Sequence, residues 1–294
     1  MKLFEDCGVV LFDSAMGTAL LAAGQPKGTG SETMNLSAPE TVLKIHLDNI
    51  LAGSDVVTGN TFGVTQMMMR GERELAIETL KKAVGLAKEA ASGGGPGGRE
   101  VFACLDLGPS GALFGPLGGV SYEEVEQVFA AQAQAGAQAG ADFVLIETFA
   151  DAEEFARAAR AAKAASGLSV LGTMTFGEGG RSFMGASIPD MMRVAREEGL
   201  SAVGANCTLT PAEMLPVIKD ILSLADGLPV IAQPNAGQPV ITDGGLTYLT
   251  TADVFAAGAE ELIAAGVSGI GGCCGTTPDI ISKIRDIINR RQKS

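Results

Sequence analysis

The sequence predicts an α/β fold, a single (β/α)8 barrel that spans residues 1–294. Eight apolar runs of strand length recur along the chain, and helical patterns separate them. The runs are almost continuously apolar, as expected for parallel strands that are covered on both faces. The length of 294 residues also suits one such barrel, which takes roughly 250 residues. We therefore predict a TIM barrel in one domain.

The predicted strands and helices alternate from one end of the chain to the other. Helical segments over residues 74–91, 123–140 and 152–165 are rich in Ala, Leu, Glu and Lys. Two helix starts, at Ser121 and at Thr210, carry the Ser/Thr-x-x-Glu capping pattern. The strands are predicted to begin at Val9, Asp55, Val101, Phe143, Val170, Ala202, Pro229 and Gly269.

An open parallel sheet with a small extra domain is the alternative fold. Such an arrangement calls for a linker, and the sequence offers only one low-complexity stretch, SGGGPGG at residues 92–98. This stretch lies between a predicted helix and a predicted strand, so we interpret it as a flexible loop on the bottom face of the barrel. The closed barrel is therefore favoured.

The composition argues against several classes of partner. Asp and Glu outnumber Lys and Arg by 34 to 21, which gives a net charge of −13. Nucleic acids and anionic membrane surfaces call for clustered positive charge instead. No apolar run reaches the roughly 18 residues of a membrane span, and the first residues lack a signal-peptide cleavage pattern. We expect a cytoplasmic protein with no nucleic-acid partner and no membrane partner.

Polar residues gather where the predicted strands end. Because a parallel barrel places its active site at the carboxyl ends of its strands, these residues are the candidates for function. They are Asp13, Asn60, Asp106, Glu147, Thr175, Cys207, Asn235, Cys273 and Cys274.

Three of the five cysteines stand among these residues. Cys207 ends the sixth strand, and Cys273 and Cys274 end the eighth, which we expect to be its neighbour. Three thiolates suit a tetrahedral zinc site with one open position. Consecutive strand residues point to opposite faces, so the adjacent pair can converge only if the surrounding glycines let the backbone bend. The alternative is a set of small buried thiols beside a tight glycine turn.

The remaining cysteines and the single histidine have no comparable setting. We assign Cys7 and Cys104 to ordinary packing, and His46 to the surface or to helix packing. With one histidine in the chain, a Ser-His-Asp or Cys-His mechanism has no support.

Four segments resemble a known family. They are DSAMGT at residues 13–18, GADFVLIET at 140–148, GANC at 204–207 and GGCCGTTP at 271–278. From about residue 5 to residue 290 the chain is similar to the homocysteine S-methyltransferases. This family includes the homocysteine-binding domain of cobalamin-dependent methionine synthase and the betaine–homocysteine methyltransferases. The resemblance implies a (β/α)8 barrel.

The resemblance also implies a zinc site. By this likeness Cys207, Cys273 and Cys274 are the zinc ligands, and the sulfur of homocysteine is the fourth. Asn235 resembles a position whose side chain occupies the open zinc coordination site before the substrate binds. Zinc favours the thiolate form of the substrate, which is the nucleophile that attacks a methyl group. The implied product is methionine.

The amino-acid part of homocysteine is implied to bind beside the zinc. Asp13 and Glu147 match acidic positions associated with the substrate's ammonium group. The Gly17–Thr18 turn matches a loop whose backbone N–H groups receive the carboxylate. A zwitterion needs anions on one side and amide donors on the other, which agrees with this assignment.

The methyl donor is expected to be a methyl-corrinoid. The segment DLGPSGALFGPLGG at residues 106–119 resembles the cobalamin-dependent branch of the family. The chain lacks tryptophan, and we expect neither tyrosine at the rim, which argues against betaine. Because the chain has no room for a cobalamin domain, methylcobalamin is expected on a separate partner protein, unless the chain is an excised first domain. The alternatives are an S-methylmethionine- or betaine-dependent thiol methyltransferase and a non-catalytic zinc-binding barrel subunit.

Overall fold

Ten strands are present in the part of the chain that the structure describes. The structure is a computed structural model, and it describes residues 2–5, 8–114, 118–242 and 245–292. In chain order the strands are β1 (Val10–Leu11), β2 (Val56–Thr58), β3 (Phe102–Leu107), β4 (Phe143–Phe149), β5 (Val170–Met174), β6 (Ala202–Asn206), β7 (Val230–Gln233), β8 (Val240–Thr242), β9 (Gly245–Thr247) and β10 (Gly269–Ile270).

Eight of these strands form one parallel sheet in the order β1-β10-β7-β6-β5-β4-β3-β2. The two outermost strands of that order approach each other, because the Asp55 N–H donates to the Leu11 carbonyl at 2.7 Å. The Leu11 N–H in turn donates to the Asp55 carboxylate at 2.8 Å. The sheet is thus a nearly closed barrel, and the predicted (β/α)8 fold is confirmed.

Helices follow the strands and cover the outside of the barrel. They are α1 (Lys2–Glu5), α2 (Met16–Ala22), α3 (Met34–Ser37), α4 (Pro39–Ala52), α5 (Val64–Met69), α6 (Arg73–Ser92), α7 (Tyr122–Gln138), α8 (Ala152–Ser166), α9 (Ile188–Glu198), α10 (Pro211–Leu224), α11 (Ala252–Ala265) and α12 (Pro278–Arg291). The predicted capping boxes are present at Ser121 and Thr210, where each hydroxyl accepts from the backbone N–H of the glutamate three residues on.

The barrel interior is a separate apolar layer below the carboxyl ends of the strands. Every residue of β5 and β6 is buried, which explains why these strands read as continuous apolar runs. Side chains from most of the strands meet inside, among them Cys104, Phe143 and Leu145. Gly204 lets β6 and β7 approach, because a Cβ there would lie 1.9 Å from the Ile231 carbonyl oxygen.

The cysteines and the histidine that we assigned to packing have different outcomes. Cys104 is fully buried in the barrel interior, as predicted. His46 is buried in α4 and neither ring nitrogen has a hydrogen-bond partner among the described residues, so its packing role is confirmed. Burial lowers the pKa of His46 to about 4. Cys7 lies outside the described residues.

The strand β7 is followed by an excursion that the sequence analysis did not predict. The short antiparallel hairpin of β8 and β9 stands outside the barrel sheet. The stretch at residues 92–98 lies between a helix and a strand, as predicted, but Ser92 is the last residue of α6 and Pro96–Gly98 form a 3-10 turn. Among the described residues, no helix combines the length and the hydropathy that spanning a membrane requires.

Candidate active site

Three thiols meet at the carboxyl end of the barrel. The Sγ atoms of Cys207, Cys273 and Cys274 all lie within 4.8 Å of one another. The Cys207 and Cys274 sulfurs are 3.9 Å apart. All three side chains are half-buried, so the cluster can be reached from solvent.

The strands that carry the thiols are not neighbours, which corrects our expectation. β7 separates β6 from β10 in the sheet. The end of β7 and the segment after it connect them. The Cys207 N–H donates to the carbonyl of Gln233, the last residue of β7, at 3.0 Å, and the Ala236 N–H donates to the Cys274 carbonyl at 2.9 Å. The thiols therefore meet above the end of β7.

Unusual backbone conformations let the thiols converge. Cys207 has a φ of +62°, which is uncommon for a residue with a side chain. Gly275 has a φ of +81°, directly after the adjacent cysteine pair. The Thr276 hydroxyl donates to the Cys273 carbonyl at 2.7 Å and closes this turn. The bend that the glycines were predicted to allow is present.

The three thiols do not hold their protons equally. Hydrogen bonds from Cys273 and Cys274 lower the pKa of Cys207 to about 3. The hydrogen bond with Cys207 in turn raises the pKa of Cys274 to about 11 and that of Cys273 well above its usual value. One thiolate is thus stabilised by two neighbouring S–H donors.

Asn235 lies beside this cluster, in the segment that follows β7. Its side chain hydrogen-bonds to Cys207 and contributes to the lowered pKa of that thiol. Its own Oδ1 is buried and has no hydrogen-bond partner among the described residues. An unsatisfied acceptor therefore lies next to the three sulfurs.

A cavity of about 350 Å³ adjoins the cysteine cluster. Within the described part of the chain, its lining contains no lysine, arginine or histidine. The polar residues that line it include Asp13, Ser14, Thr18, Thr58, Asn60, Asp106, Glu147, Gln233 and the three cysteines.

Two of the predicted acidic residues are held firmly in this cavity. Asp13 accepts from the Thr58 N–H and from the Thr58 hydroxyl, each at 2.8 Å. Burial nevertheless raises the pKa of Asp13 to about 7. Burial, with the charges of Cys207 and Asp13, raises the pKa of Glu147 to about 8. Both carboxyls would gain from a cationic ligand, since opposite charge restores their ionised form.

Gly17 and Thr18 lie in the first turn of α2, rather than in the turn that we predicted. Both line the cavity. The Thr18 hydroxyl accepts from the Gly275 N–H at 3.0 Å, which ties this helix to the loop of the cysteine pair. The backbone N–H groups of Gly17 and Thr18 belong to the first turn, where a helix leaves its N–H groups without intrahelical partners.

Asn206 is a residue of the candidate site that the sequence analysis did not single out. It is fully buried between the acidic and the thiol parts of the site. Its Nδ2 donates to Glu147 at 3.2 Å and to the Thr148 hydroxyl at 2.7 Å. Its Oδ1 accepts from the Thr148 N–H and the Thr173 hydroxyl, each at 2.9 Å. A polar residue in an otherwise apolar strand, directly before Cys207, was the available signal.

Tyr248 corrects our expectation that no tyrosine lies at the rim. The residue follows β9, and its ring lies over Gly275, where a Cβ would be 2.2 Å from the Tyr248 Cγ. Burial first, and then the charge of Cys274 and the hydrogen bond to it, raise the pKa of Tyr248 to about 12. The hairpin thus places the phenol of Tyr248 at the edge of the cysteine cluster.

The second tyrosine packs against the loop that follows β3. The Tyr122 ring stacks on Phe114 with centroids 4.2 Å apart. The Ser110 N–H donates to Glu154 at 2.8 Å, which anchors the start of this loop. The resemblance of residues 106–119 to the cobalamin-dependent branch involves residues 115–117, which lie outside the described residues.

Comparisons with known proteins show the family of the chain. A family model described as homocysteine S-methyltransferase matches residues 10–288. The chain is 31% identical to a methionine synthase of Mycobacterium tuberculosis and 30% identical to one of Mycobacterium leprae. These matches cover 94% and 96% of this chain, but only 24% of each relative. The chain therefore spans about a quarter of the length of these methionine synthases.

A solved structure shares the fold. The metallated homocysteine methyltransferase MmuM from Escherichia coli superposes with a TM-score of 0.81 at 22% identity. The superposition covers 97% of this chain and 98% of MmuM. With the family model matching nearly the whole sequence, the chain belongs to the homocysteine S-methyltransferase family.

Proposed function

We propose that this chain is a zinc-dependent homocysteine S-methyltransferase that forms methionine. One observation carries the proposal: three thiols converge at the edge of a cavity that is lined by carboxyls and contains no described cationic side chain. Family membership supports a thiol as the methyl acceptor. The acidic cavity supports an acceptor that carries an ammonium group.

The thiol cluster fits zinc by its chemistry and its dimensions. Sulfur ligands at about 2.3 Å from a tetrahedral zinc lie about 3.8 Å from one another. The Cys207 and Cys274 sulfurs are 3.9 Å apart, close to that spacing. Cys207, Cys273 and Cys274 would hold the metal. The unsatisfied Oδ1 of Asn235 supplies an oxygen nearby for the fourth position in the absence of substrate.

Zinc in this position would act as a Lewis acid that holds the substrate thiol as its thiolate, the nucleophile in methyl transfer. The protein's own residues then orient the substrate. Asp13 and Glu147 receive the ammonium group, and Asn206 fixes Glu147 by donating to it at 3.2 Å. The backbone N–H groups of Gly17 and Thr18 receive the carboxylate.

The methyl donor in this proposal is a methyl-corrinoid. The likeness of residues 106–119 to the cobalamin-dependent branch supports it, and so does the access to the half-buried thiols. The position of Tyr248 beside Cys274 removes one of our two arguments against betaine; the absence of tryptophan remains. S-Methylmethionine and betaine therefore remain alternative donors, and an assay of methyl transfer has to compare them with methylcobalamin.

Cobalt in place of zinc provides a direct test of thiol binding. Homocysteine should add intensity to the sulfur-to-cobalt charge-transfer absorption, because its sulfur joins the three cysteine sulfurs. Homoserine, which carries a hydroxyl in place of the thiol, is the matched control and should leave that absorption unchanged. A spectrum that homocysteine does not alter would contradict the proposal.

A further inference from the structure

A third carboxyl, that of Asp106, lies in the same cavity without an assigned role. Asp106 stands near the end of β3, lines the cavity with Asp13 and Glu147, and is only 3% exposed. Its Oδ1 is buried and has no hydrogen-bond partner among the described residues. A buried carboxyl without a hydrogen-bond partner lowers the stability of the folded protein, so its presence here indicates that it pairs with a ligand.

The sheet register directs Asp106 toward the substrate cavity. Asp106 is paired with Leu145 on β4, and Leu145 belongs to the layer that fills the barrel interior. Glu147 follows Leu145 by two residues and so shares its face of the sheet. Asp106 and Glu147 therefore face the barrel axis from adjacent strands, with Glu147 nearer the mouth.

The surroundings of Asp106 fix its backbone and leave its carboxyl unengaged. The Thr61 hydroxyl donates to the Asp106 carbonyl at 2.7 Å, and the Asp106 N–H donates to the same hydroxyl at 3.1 Å. Asp13, by contrast, has both carboxyl oxygens bonded to Thr58. Among the three carboxyls, that of Asp106 thus accepts the fewest hydrogen bonds.

Three acidic side chains act on the Asp106 carboxyl. Burial first, and then the charges of Glu147, Asp13 and Glu32, raise the pKa of Asp106 well above its usual value. The cavity lining offers no lysine, arginine or histidine among the described residues to balance it. A cation that relieves this repulsion must come from the ligand.

We propose that Asp106 is a third binding residue for the ammonium group of the substrate, and that it makes the site selective for thiols that carry this group. An ammonium has three N–H donors, and Asp13, Glu147 and Asp106 offer one carboxyl for each. This inference rests on the proposed function, because it assigns a residue to the recognition of the same acceptor.

The test compares two thiols on the zinc-loaded protein. Homocysteine carries the ammonium group, and 4-mercaptobutanoate has the same chain without it. Asp106→Asn keeps the size of the side chain and removes its charge. We expect this variant to weaken homocysteine binding by about tenfold to a hundredfold, the range of a charged hydrogen bond. The dissociation constant of 4-mercaptobutanoate and the zinc content should stay unchanged.

Controls separate this inference from the proposed function. Asp48→Asn removes a charge outside the cavity and should leave both dissociation constants unchanged. If wild-type protein does not prefer homocysteine over 4-mercaptobutanoate, the proposed recognition of the ammonium group is wrong. If wild-type protein shows the preference and Asp106→Asn keeps it in full, the role of Asp106 is wrong. Should Asp106→Asn fail to fold, the smaller uncharged Asp106→Ser is measured with the same two expectations.

Discussion

The side-chain amide of Asn206 joins the Glu147 carboxyl to the cysteine cluster. Its Nδ2 lies 3.2 Å from Glu147 Oε2 and 3.9 Å from Cys273 Sγ. The same amide accepts from the N–H of Thr148, whose φ of +64° is a strained value for a β-branched residue. One buried side chain thus sets the spacing between the proposed ammonium site and the proposed metal site.

Replacement of Asn206 tests this connection. Asn206→Ala removes the donor to Glu147 and leaves the Thr148 N–H without its acceptor, so we expect a stability loss of about 1–3 kcal/mol. Homocysteine binding should weaken, while zinc stays bound because the three thiols are untouched. Thr173→Val, the control, removes only a donor to the Asn206 oxygen and should leave homocysteine affinity unchanged. Equal homocysteine affinity in wild type and Asn206→Ala would show that Asn206 does not position Glu147.

Glu147 is expected to bind the substrate's ammonium group directly. Glu147→Gln keeps the shape of the side chain and removes its charge, so homocysteine binding should weaken by roughly 1.5–3 kcal/mol. Calorimetric titration of the zinc-loaded protein measures this loss, and zinc content should be unaltered. Glu89→Gln changes an exposed acid on α6 and serves as the control. An unchanged affinity in Glu147→Gln would mean that Glu147 has another role.

The metal assignment is tested by replacing one cysteine of the cluster. Cys273→Ala leaves two sulfurs at the site, one fewer than the three protein ligands that hold a catalytic zinc. We expect wild-type protein to carry about one zinc per chain and the variant to lose most of it. Cys104→Ala alters a buried thiol outside the cluster and should retain the metal. Full zinc content in Cys273→Ala would refute the ligand assignment.

The buried acids predict how the stability of the metal-free protein depends on pH. The pKa of Asp13 is raised from 3.8 to about 7, so between these values the folded chain binds more protons than the unfolded chain. Cys207, whose pKa is lowered to about 3, contributes a rise in the free energy of unfolding over this pH range. Asp13 contributes a fall of at most about 1.4 kcal/mol per pH unit as the pH rises from about 4 to about 7. The pKa of Glu147, raised to about 8, adds a slope of the same sign.

Urea unfolding of Asp13→Asn at several pH values checks this account. The free energy of unfolding of the variant, taken relative to that of wild type, should rise over the same pH range, because the fall that Asp13 contributes is absent. Parallel curves for wild type and Asp13→Asn would exclude Asp13 as a source of the pH dependence.

The barrel could be predicted from the sequence because its strands are buried on both faces. That burial requires almost continuously apolar runs, and the runs beginning near Phe143, Val170 and Ala202 coincide with β4, β5 and β6. The cysteine cluster was also predictable, because thiols at strand ends must lie on one rim of a parallel barrel. What the sequence does not specify is how far the backbone bends beyond each strand. The meeting of Cys207 and Cys273 above β7 depends on that bend.

The other differences have similar physical causes. The hairpin of β8 and β9 is short and stands outside the barrel, so no apolar periodicity marks it. The hairpin brings Tyr248 back to the cysteine cluster. This contact depends on the conformation of the folded loop, which the sequence does not show. Asn206 and Asp106 were visible as polar residues at strand ends. Asn206 matters for the hydrogen bonds that its amide makes, and Asp106 for those that its carboxyl lacks. A single sequence shows neither.

Methyl transfer to homocysteine is the measurement that tests the central claim most directly. Methionine formation is followed with methylcobalamin, S-methylmethionine or betaine at equal concentration, using zinc-loaded protein, zinc-stripped protein and Cys273→Ala. We predict methionine from methylcobalamin with zinc-loaded protein alone, at a slow rate, because the free cofactor reaches a productive orientation only by chance. Turnover with S-methylmethionine or betaine instead would replace the donor and leave the thiol chemistry intact. No methionine from any donor, or equal rates in the zinc-loaded and zinc-stripped proteins, would contradict the account.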